Sequence, residues 1–106
     1  MQDPIIKEAL KLVEDGVFNI DPDGNVWRHK KWIDGHYRDL REPRITGSKN
    51  HSERLLLHVR VHDKPRTVYL HRLVYAYFNG GIEDDQMVGH HDGDVHNNHP
   101  SNLFLR

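Results

Sequence analysis

The residues best suited to chemistry are concentrated in the last nineteen positions of the chain, from Val88 to Arg106. This segment contains four of the ten histidines and three of the seven asparagines, followed by the apolar run Leu103–Leu105. Imidazole, carboxylate and amide groups can bind metal ions and transfer protons, and packing alone does not require them at this density. The segment therefore predicts a metal-binding or catalytic loop.

Composition limits the class of protein. A length of 106 residues predicts one domain, and 36% hydrophobic with 29% charged residues predicts a modest core. The lack of cysteine excludes a disulfide framework and any thiolate metal site. No apolar run approaches the roughly 18 residues of a membrane span, and the acidic opening segment is unlike a signal peptide. We therefore expect a soluble, cytoplasmic protein with no membrane partner.

Charge is distributed unevenly along the chain. Residues 1–24 and 73–106 each have a net charge of −4, whereas residues 25–72 have a net charge of +7. Because cations that neutralise phosphates supply much of the affinity for nucleic acid, the basic middle predicts a nucleic-acid-binding surface, with a solvated face as the alternative. Trp27 and Trp32 in this region either stack on bases or pack within the fold. The candidate phosphate-binding residues are Arg28, Lys30, Lys31, Arg54, Arg60 and Arg66.

Local patterns predict an α+β fold, with a small antiparallel sheet and short helices. Residues 1–16 form the expected N-terminal helix, with Asp3 as its N-cap and Pro4 in its first turn. The sheet is expected over residues 17–70. Within it we predict a hairpin around residues 21–24, a long surface loop at 33–53, and strands at 54–61 and 66–70 joined by a turn at 62–65.

A second helix is predicted over residues 71–81, where Gly80 and Gly81 supply the stop. Its apolar face, which should pack on the sheet, consists of Leu73, Val74, Tyr77 and Phe78. Residues 87–106 are predicted to form a terminal hairpin around the polar loop, so the candidate chemical residues lie at the two ends of that loop. We treat residues 1–106 as a single domain.

Several short motifs recur in a fixed order towards the end of the chain. They are His71-Arg72-Leu73-Val74 with Phe78, His90-x-Asp92-Gly93, Asn97-Asn98 and Asn102-Leu103. This pattern resembles the HNH endonucleases, also called ββα-metal or His-Me finger endonucleases, and is most similar to the homing type found in phages and introns. The resemblance extends over residues 17–105, and the spacing of His90 and Asn102 is its most specific part.

The resemblance implies roles for individual residues. His90 matches the general base that activates water for phosphodiester hydrolysis, and Asn102 matches the asparagine that ties down the loop and orients the base. His71, Asn97 and Asn98 match structural positions of the motif. Activity of this type would use a divalent metal, Mg²⁺ or Mn²⁺, and would act on DNA.

The chain also departs from the pattern. Gly89 stands where the family has a metal-binding side chain, and the sequence stops at Arg106, where the family's final helix would begin. The resemblance therefore implies a truncated and degenerate motif without its final helix. A shifted register, with His91 as base and His90 as ligand, is one alternative, and it makes His91 and Asp92 candidate metal ligands. A zinc site made of His90, His91, His96 and His99 is another.

Two hypotheses for function follow. In the first, an HNH-like protein of phage type has lost catalysis and acts within the host cell as a binding module for DNA or for a nucleic-acid-binding protein, for example as an inhibitor of a host enzyme. In the second, it is an active metal-dependent DNA endonuclease. The remaining histidines show no ligand-like spacing and are expected on the surface or on strands; they are His29, His36, His51, His58 and His62.

Overall fold

The residues that the structure describes form two three-stranded antiparallel sheets, one two-stranded hairpin and two helices. The computed structural model describes residues 1–49 and 54–106. The elements in chain order are α1 (Pro4–Glu14), β1 (Phe18–Ile20), β2 (Val26–Ile33), β3 (His36–Ile45), β4 (Ser48–Lys49), β5 (Leu55–Val61), β6 (Lys64–Tyr69), α2 (Leu70–Asn79), β7 (Val88–His90), a 3-10 turn (Pro100–Asn102) and β8 (Leu103–Leu105). The predicted α+β class is confirmed.

The beginning of α1 is fixed by its N-cap, as predicted. The Oδ1 atom of Asp3 accepts hydrogen bonds from the backbone N–H groups of Ile5 and Ile6, at 3.0 and 3.1 Å. The other oxygen, Oδ2, accepts a bond of 2.8 Å from the guanidinium of Arg72 in α2. Since Arg72 also donates to the backbone oxygen of Gln86, one side chain joins both helices to the segment that leads into β7.

The first sheet has the order β1-β2-β3 and begins with the predicted hairpin. Its turn is stabilised by Asp21, which accepts bonds from the backbone of Asp23 and Asn25 and from the indole N–H of Trp27 at 3.0 Å. These bonds, that of Trp27 above all, lower the pKa of the Asp21 carboxyl. The indole N–H of Trp27 is therefore already hydrogen-bonded within the fold.

The predicted loop over residues 33–53 is wrong for most of its length. Residues 36–45 form β3, which pairs with β2 so that Trp32 lies opposite Tyr37 and Ile33 opposite His36. The connecting residues Asp34 and Gly35 both have positive φ, 50° and 86°, as a two-residue hairpin turn requires. Residues 50–53, including His51, lie outside the described part of the chain.

The second sheet has the order β4-β5-β6, so the strands of residues 17–70 form two sheets rather than one. Strands β5 and β6 were predicted, but their turn is shorter than expected. His62 and Asp63 have positive φ, 49° and 66°, and Val61 pairs directly with Lys64. Lys64 and Pro65 therefore begin β6 rather than belonging to the turn.

Helix α2 packs on the core with a different face from the one predicted. Leu73, Val74 and Ala76 are fully buried, whereas Tyr77 and Phe78 are each 42% exposed. The buried residues of α2 also include Leu70 and His71 at its start. The buried face therefore lies nearer the N-terminal end of the helix than predicted. Gly80, with φ of 79°, ends the helix as expected. In the described part of the chain, no helix is long and apolar enough to cross a membrane.

Candidate functional site

The hairpin of β7 and β8 and the loop that connects its strands contain the predicted catalytic and metal-binding residues. Its register places Gly89 opposite Phe104 and His90 opposite Leu103. Because side chains alternate between the two faces of a strand, Val88 and His90 point to one face and Gly89 to the other. Val88 and Leu103 are buried, so the first face is directed to the core, and His90 lies half-buried at its edge.

His90 is held by two neighbours. Its Nε2 atom lies 2.9 Å from Oδ1 of Asn98, and its ring centroid lies 5.2 Å from that of His71. An amide oxygen only accepts hydrogen bonds, so this contact places the hydrogen of a neutral His90 on Nε2. The lone pair then lies on Nδ1, which is the atom that could accept a proton from water.

His71, at the start of α2, is only 4% exposed. Burial, together with the neighbouring charges of His90, Arg54 and Arg72, lowers the pKa of His71 from 6.5 to about 4. The imidazole is therefore neutral around pH 7, and it packs as a flat ring between His90 and Tyr69. The structural role that the sequence motif implies for His71 stays a prediction.

Asn102 ties together the two ends of the loop that follows His90. Its Oδ1 atom accepts from the backbone N–H of Asp92 at 3.1 Å. Its Nδ2 atom donates to Oδ1 of Asp92 at 2.9 Å and to the backbone oxygen of Asn97 at 2.8 Å. Because Asn102 is buried, these bonds fix the chain two residues after His90. Its role in orienting a catalytic base stays a prediction.

The carboxylate of Asp92 accepts three hydrogen bonds from residues of the loop and its closing turn. Its Oδ2 atom accepts from Nδ2 of Asn97 at 2.8 Å, and its Oδ1 atom accepts from the backbone N–H of Asp94 as well as from Asn102. Donation by Asn97 contributes most to a pKa for Asp92 lowered to about 2. Asp92 is thus an ionised acceptor that holds the loop in shape.

The face of the hairpin that carries Gly89 is covered by an aromatic ring. A Cβ atom on Gly89 would meet two ring atoms of Phe104 at 2.7 and 2.8 Å and Cγ of Arg106 at 2.8 Å. The same ring stacks on His91, with centroids 4.4 Å apart and planes at 23°. The space beside Gly89 is therefore filled by Phe104.

Comparison with known proteins bears directly on this hairpin. The family model described as HNH endonuclease matches residues 68–106, which include α2, β7, the polar loop and β8. The C-terminal part of this chain is therefore similar to HNH endonucleases, and we call residues 68–106 the HNH segment. Within the segment, His90 and Asn102 lie at the two ends of the polar loop.

A solved structure extends the likeness to most of the fold. The chain is similar to the structure titled "DNA binding and cleavage by the HNH homing endonuclease I-HmuI", with a TM-score of 0.60 and 23% sequence identity. The match covers 86% of this chain and 47% of the other, so the chain spans about half the length of that protein. No curated protein matches the chain. The fold of the two sheets that precede the HNH segment is therefore already known from a solved structure.

The HNH segment does not offer a set of ligands that fits a divalent metal. Gly89 has no side chain to bind a metal, both oxygens of Asp92 accept hydrogen bonds, and Nε2 of His90 is held by Asn98. His91 lies stacked on Phe104, and Nδ1 of His99 accepts from Ser101. Among the described residues, no group of three His, Asp or Glu side chains converges to hold a metal ion.

The predicted phosphate-binding residues are brought together only in part. Arg28 is half-buried and donates to the backbone oxygens of His58 and Lys30, so it joins the two sheets. Lys30 lies 3.8 Å from Asp39. Arg54 lies over the ring of Tyr69. Lys31 and Arg66 are exposed, and Arg60 lies 5.4 Å from the centroid of Trp32.

Three important residues were missed by the sequence analysis. Arg44 lies opposite Arg28 across β2 and β3, and it was hidden because residues 33–53 were assigned to a loop. Phe104 was expected only as part of the apolar run of the terminal hairpin, although its ring covers Gly89. Gly24 was taken only as a turn residue, yet it packs against the backbone of Asn98. The Asp34-Gly35 pair was the signal that could have revealed the strand containing Arg44.

Proposed function

We propose that this chain binds DNA through an HNH-type scaffold whose metal centre is impaired. The observation that carries this proposal is the contact between Phe104 and Gly89. At the position where the motif would supply a metal ligand, the chain has no side chain, and an aromatic ring fills the adjacent space. A phosphodiesterase of this type needs a cation to neutralise charge on the phosphate, so losing a ligand weakens catalysis before it weakens binding.

Charge supports DNA as the ligand. Residues 25–72 have a net charge of +7, and Lys31, Arg44 and Arg66 are exposed on the two sheets. Neither Lys31 nor Arg44 forms an ion pair with a described residue, so both cations can bind phosphate without first losing a partner. The solved HNH homing endonuclease that shares this fold is described as binding and cleaving DNA.

An active endonuclease is the second candidate, and the geometry of His90 favours it. Asn98 orients the ring through Nε2 and leaves Nδ1 as the proton acceptor, while Asn102 and Asp92 hold the adjoining loop. A base positioned in this way could deprotonate water beside a phosphate. The two candidates therefore differ in whether a metal ion can be held, not in whether the loop is ordered.

One pair of assays separates the candidates. Supercoiled plasmid is incubated with the protein and either Mg²⁺ or Mn²⁺, and binding of a labelled DNA duplex is followed by fluorescence anisotropy over a range of salt. We expect intact plasmid with both metals and binding that weakens steeply with salt, because bound phosphates release counterions. Nicking that disappears in His90→Ala would contradict the impaired centre and establish the nuclease.

A matched pair of variants tests whether the basic region of residues 25–72 binds DNA. Lys31→Gln removes an exposed cation from β2, and we expect the salt slope of duplex binding to fall by about one. Lys7→Gln removes an exposed cation from α1, outside the basic region, and should leave the slope unchanged. A folded protein that binds no duplex even at low salt would contradict DNA binding and favour a protein partner instead.

A further inference from the structure

A basic groove lies between the two sheets, away from the β7–β8 hairpin. It has a volume of about 600 Å³ and runs between the β2–β3 hairpin and strand β5. This volume is within the range of roughly 300–1,000 Å³ that is usual for small-ligand sites. The residues that decide its chemistry are Lys31, Trp32, Tyr37, Arg44 and Arg60.

The rim of the groove is suited to an anion. Arg28, Lys31, Arg44 and Arg60 all line it, and no Asp or Glu is among the described lining residues. Arg28 already donates to two backbone oxygens, and it fixes the groove by joining the sheets. Lys31 and Arg44 are exposed and keep their donors for a ligand. Such a rim can hold a phosphate group.

The interior is suited to a flat aromatic ring. Trp32 and Tyr37 form an edge-to-face pair across β2 and β3, with centroids 4.9 Å apart and planes at 79°. The guanidinium of Arg60 lies 5.4 Å from the centroid of Trp32. Apolar side chains complete the lining, including the buried Leu57 and Val59 of β5. Aromatic and guanidinium groups are the surfaces on which nucleobases stack.

The groove also leads towards the polar loop between β7 and β8, which we call the HNH loop. A smaller cavity of about 150 Å³ is lined by Gly24, Asn98 and His99, and it shares Ile45 and Thr46 with the groove. A nucleic-acid strand that occupied the groove could therefore continue along this wall to the loop beside His90. The two regions would then belong to one binding path.

We propose that the groove between the sheets binds an unpaired nucleotide, with its base beside Trp32 and its phosphate at Lys31 and Arg44. A base inside an intact duplex is stacked and paired, so a duplex would use the cations but leave the aromatic interior empty. This inference rests on the proposed DNA-binding function and adds a preference for DNA that contains an unpaired base. The ligand class is thus a single-stranded stretch or an extrahelical nucleotide.

The test compares two DNA ligands and three variants by fluorescence anisotropy. The ligands are a fully paired duplex and a single-stranded thymidine oligonucleotide of about a dozen nucleotides. Trp32→Leu should weaken binding of the oligonucleotide about tenfold and change duplex binding much less, because only the stacking partner is removed. Arg44→Gln should weaken binding of both ligands. Arg41→Gln, an exposed cation of the same strand that does not line the groove, should change neither.

Intrinsic fluorescence provides a readout that does not depend on how well Trp32→Leu folds. The chain has two tryptophans, and Trp27→Phe leaves Trp32 as the single tryptophan, whose emission is excited selectively over that of the tyrosines. We expect the oligonucleotide to quench this emission and the duplex to quench it far less. If the duplex binds but the oligonucleotide neither quenches Trp32 nor depends on it, the groove proposal is overturned while DNA binding stands. If neither ligand binds, both proposals fall.

Discussion

Gly24, in the turn of the first hairpin, lies directly against the backbone carbonyl of Asn98 in the HNH loop. A Cβ atom on Gly24 would stand 2.0 Å from that oxygen, closer than any real contact allows. Asn98 in turn bonds to Nε2 of His90. The first sheet therefore forms part of the support of the candidate base, and the position of His90 depends on a turn more than sixty residues earlier in the chain.

Gly24→Ala should be strongly destabilising. The residue has φ of +84°, and the new methyl group would collide with backbone atoms that cannot move without disturbing Asn98. We expect a loss of at least about 2 kcal/mol in the free energy of unfolding, measured by urea denaturation. The resonances of the His90 ring nitrogens should also change, because the acceptor of the hydrogen bond from Nε2, the Asn98 side chain, is displaced.

Gly35→Ala is the matched control for Gly24→Ala. Gly35 has nearly the same φ, +86°, and also lies in a hairpin turn, but no atom would come within 4 Å of its added Cβ. Its substitution should cost only the backbone strain, about 1 kcal/mol, and leave the His90 resonances in place. Equal losses for the two variants would show that the contact with Asn98 contributes nothing.

Asp92 should make the loop sensitive to acid. Its pKa is lowered from the ordinary value of 3.8 to about 2 in the folded protein, so folding favours the ionised form. The stabilisation is therefore fully present above about pH 4 and is lost as the pH falls towards 2. Asp92→Asn should reduce the acid dependence of unfolding in this range, followed by fluorescence, whereas Asp34→Asn in the β2–β3 turn should retain it.

His71 should contribute a second pH dependence, at higher pH. Its pKa is lowered from 6.5 to about 4, so the unfolded chain binds the proton more readily than the folded one. The contribution of neutral His71 to stability is complete above about pH 6.5 and is lost as the pH falls to about 4, by no more than about 3 kcal/mol.

The variant His71→Phe isolates this effect. It keeps an aromatic ring in the buried position but removes the titration, so the slope of stability between pH 6.5 and 4 should become flatter. His62→Gln, at an exposed position, should keep the slope of the original chain. A His71→Phe protein with an unchanged slope would assign the pH dependence to other groups.

The elements that could be predicted from the sequence are those with strong local signals. Asp3 and Pro4 determine the start of α1, the Asp21–Gly24 turn determines the first hairpin, and the alternating residues of β5 determine a strand. In each case neighbouring residues supply the stabilising contacts. Strand β3 was missed because its residues are mostly exposed, so they lack the alternation of apolar and polar side chains that marks a half-buried strand.

The site was predictable in its residue types but not in its contacts. The spacing of His90 and Asn102 indicated the loop, yet nothing local shows that Asn98 bonds to His90 or that Gly24 supports Asn98. Such contacts join residues far apart in the chain and depend on how the sheets pack. The same is true of Arg28, which was assigned to phosphate but instead donates to the backbone of β5.

The packing of Phe104 on Gly89 can be measured by a double-mutant cycle. Gly89→Ala alone places a methyl group 2.7 Å from the Phe104 ring, and we expect it to lower the free energy of unfolding by about 1–3 kcal/mol. Phe104→Ala alone should also destabilise, because it removes the ring that lies over β7 and His91.

Combining the two substitutions should cost less than the sum of the single losses. Of the three atoms nearest to the methyl group of Gly89→Ala, two belong to the Phe104 ring and the third to the flexible side chain of Arg106, so removing the ring relieves most of the collision. We expect a favourable coupling of about 1 kcal/mol, obtained from urea unfolding of all four proteins. Strictly additive losses would mean that the ring does not fill the space beside Gly89, and the main structural argument against a metal ligand at this position would then be lost.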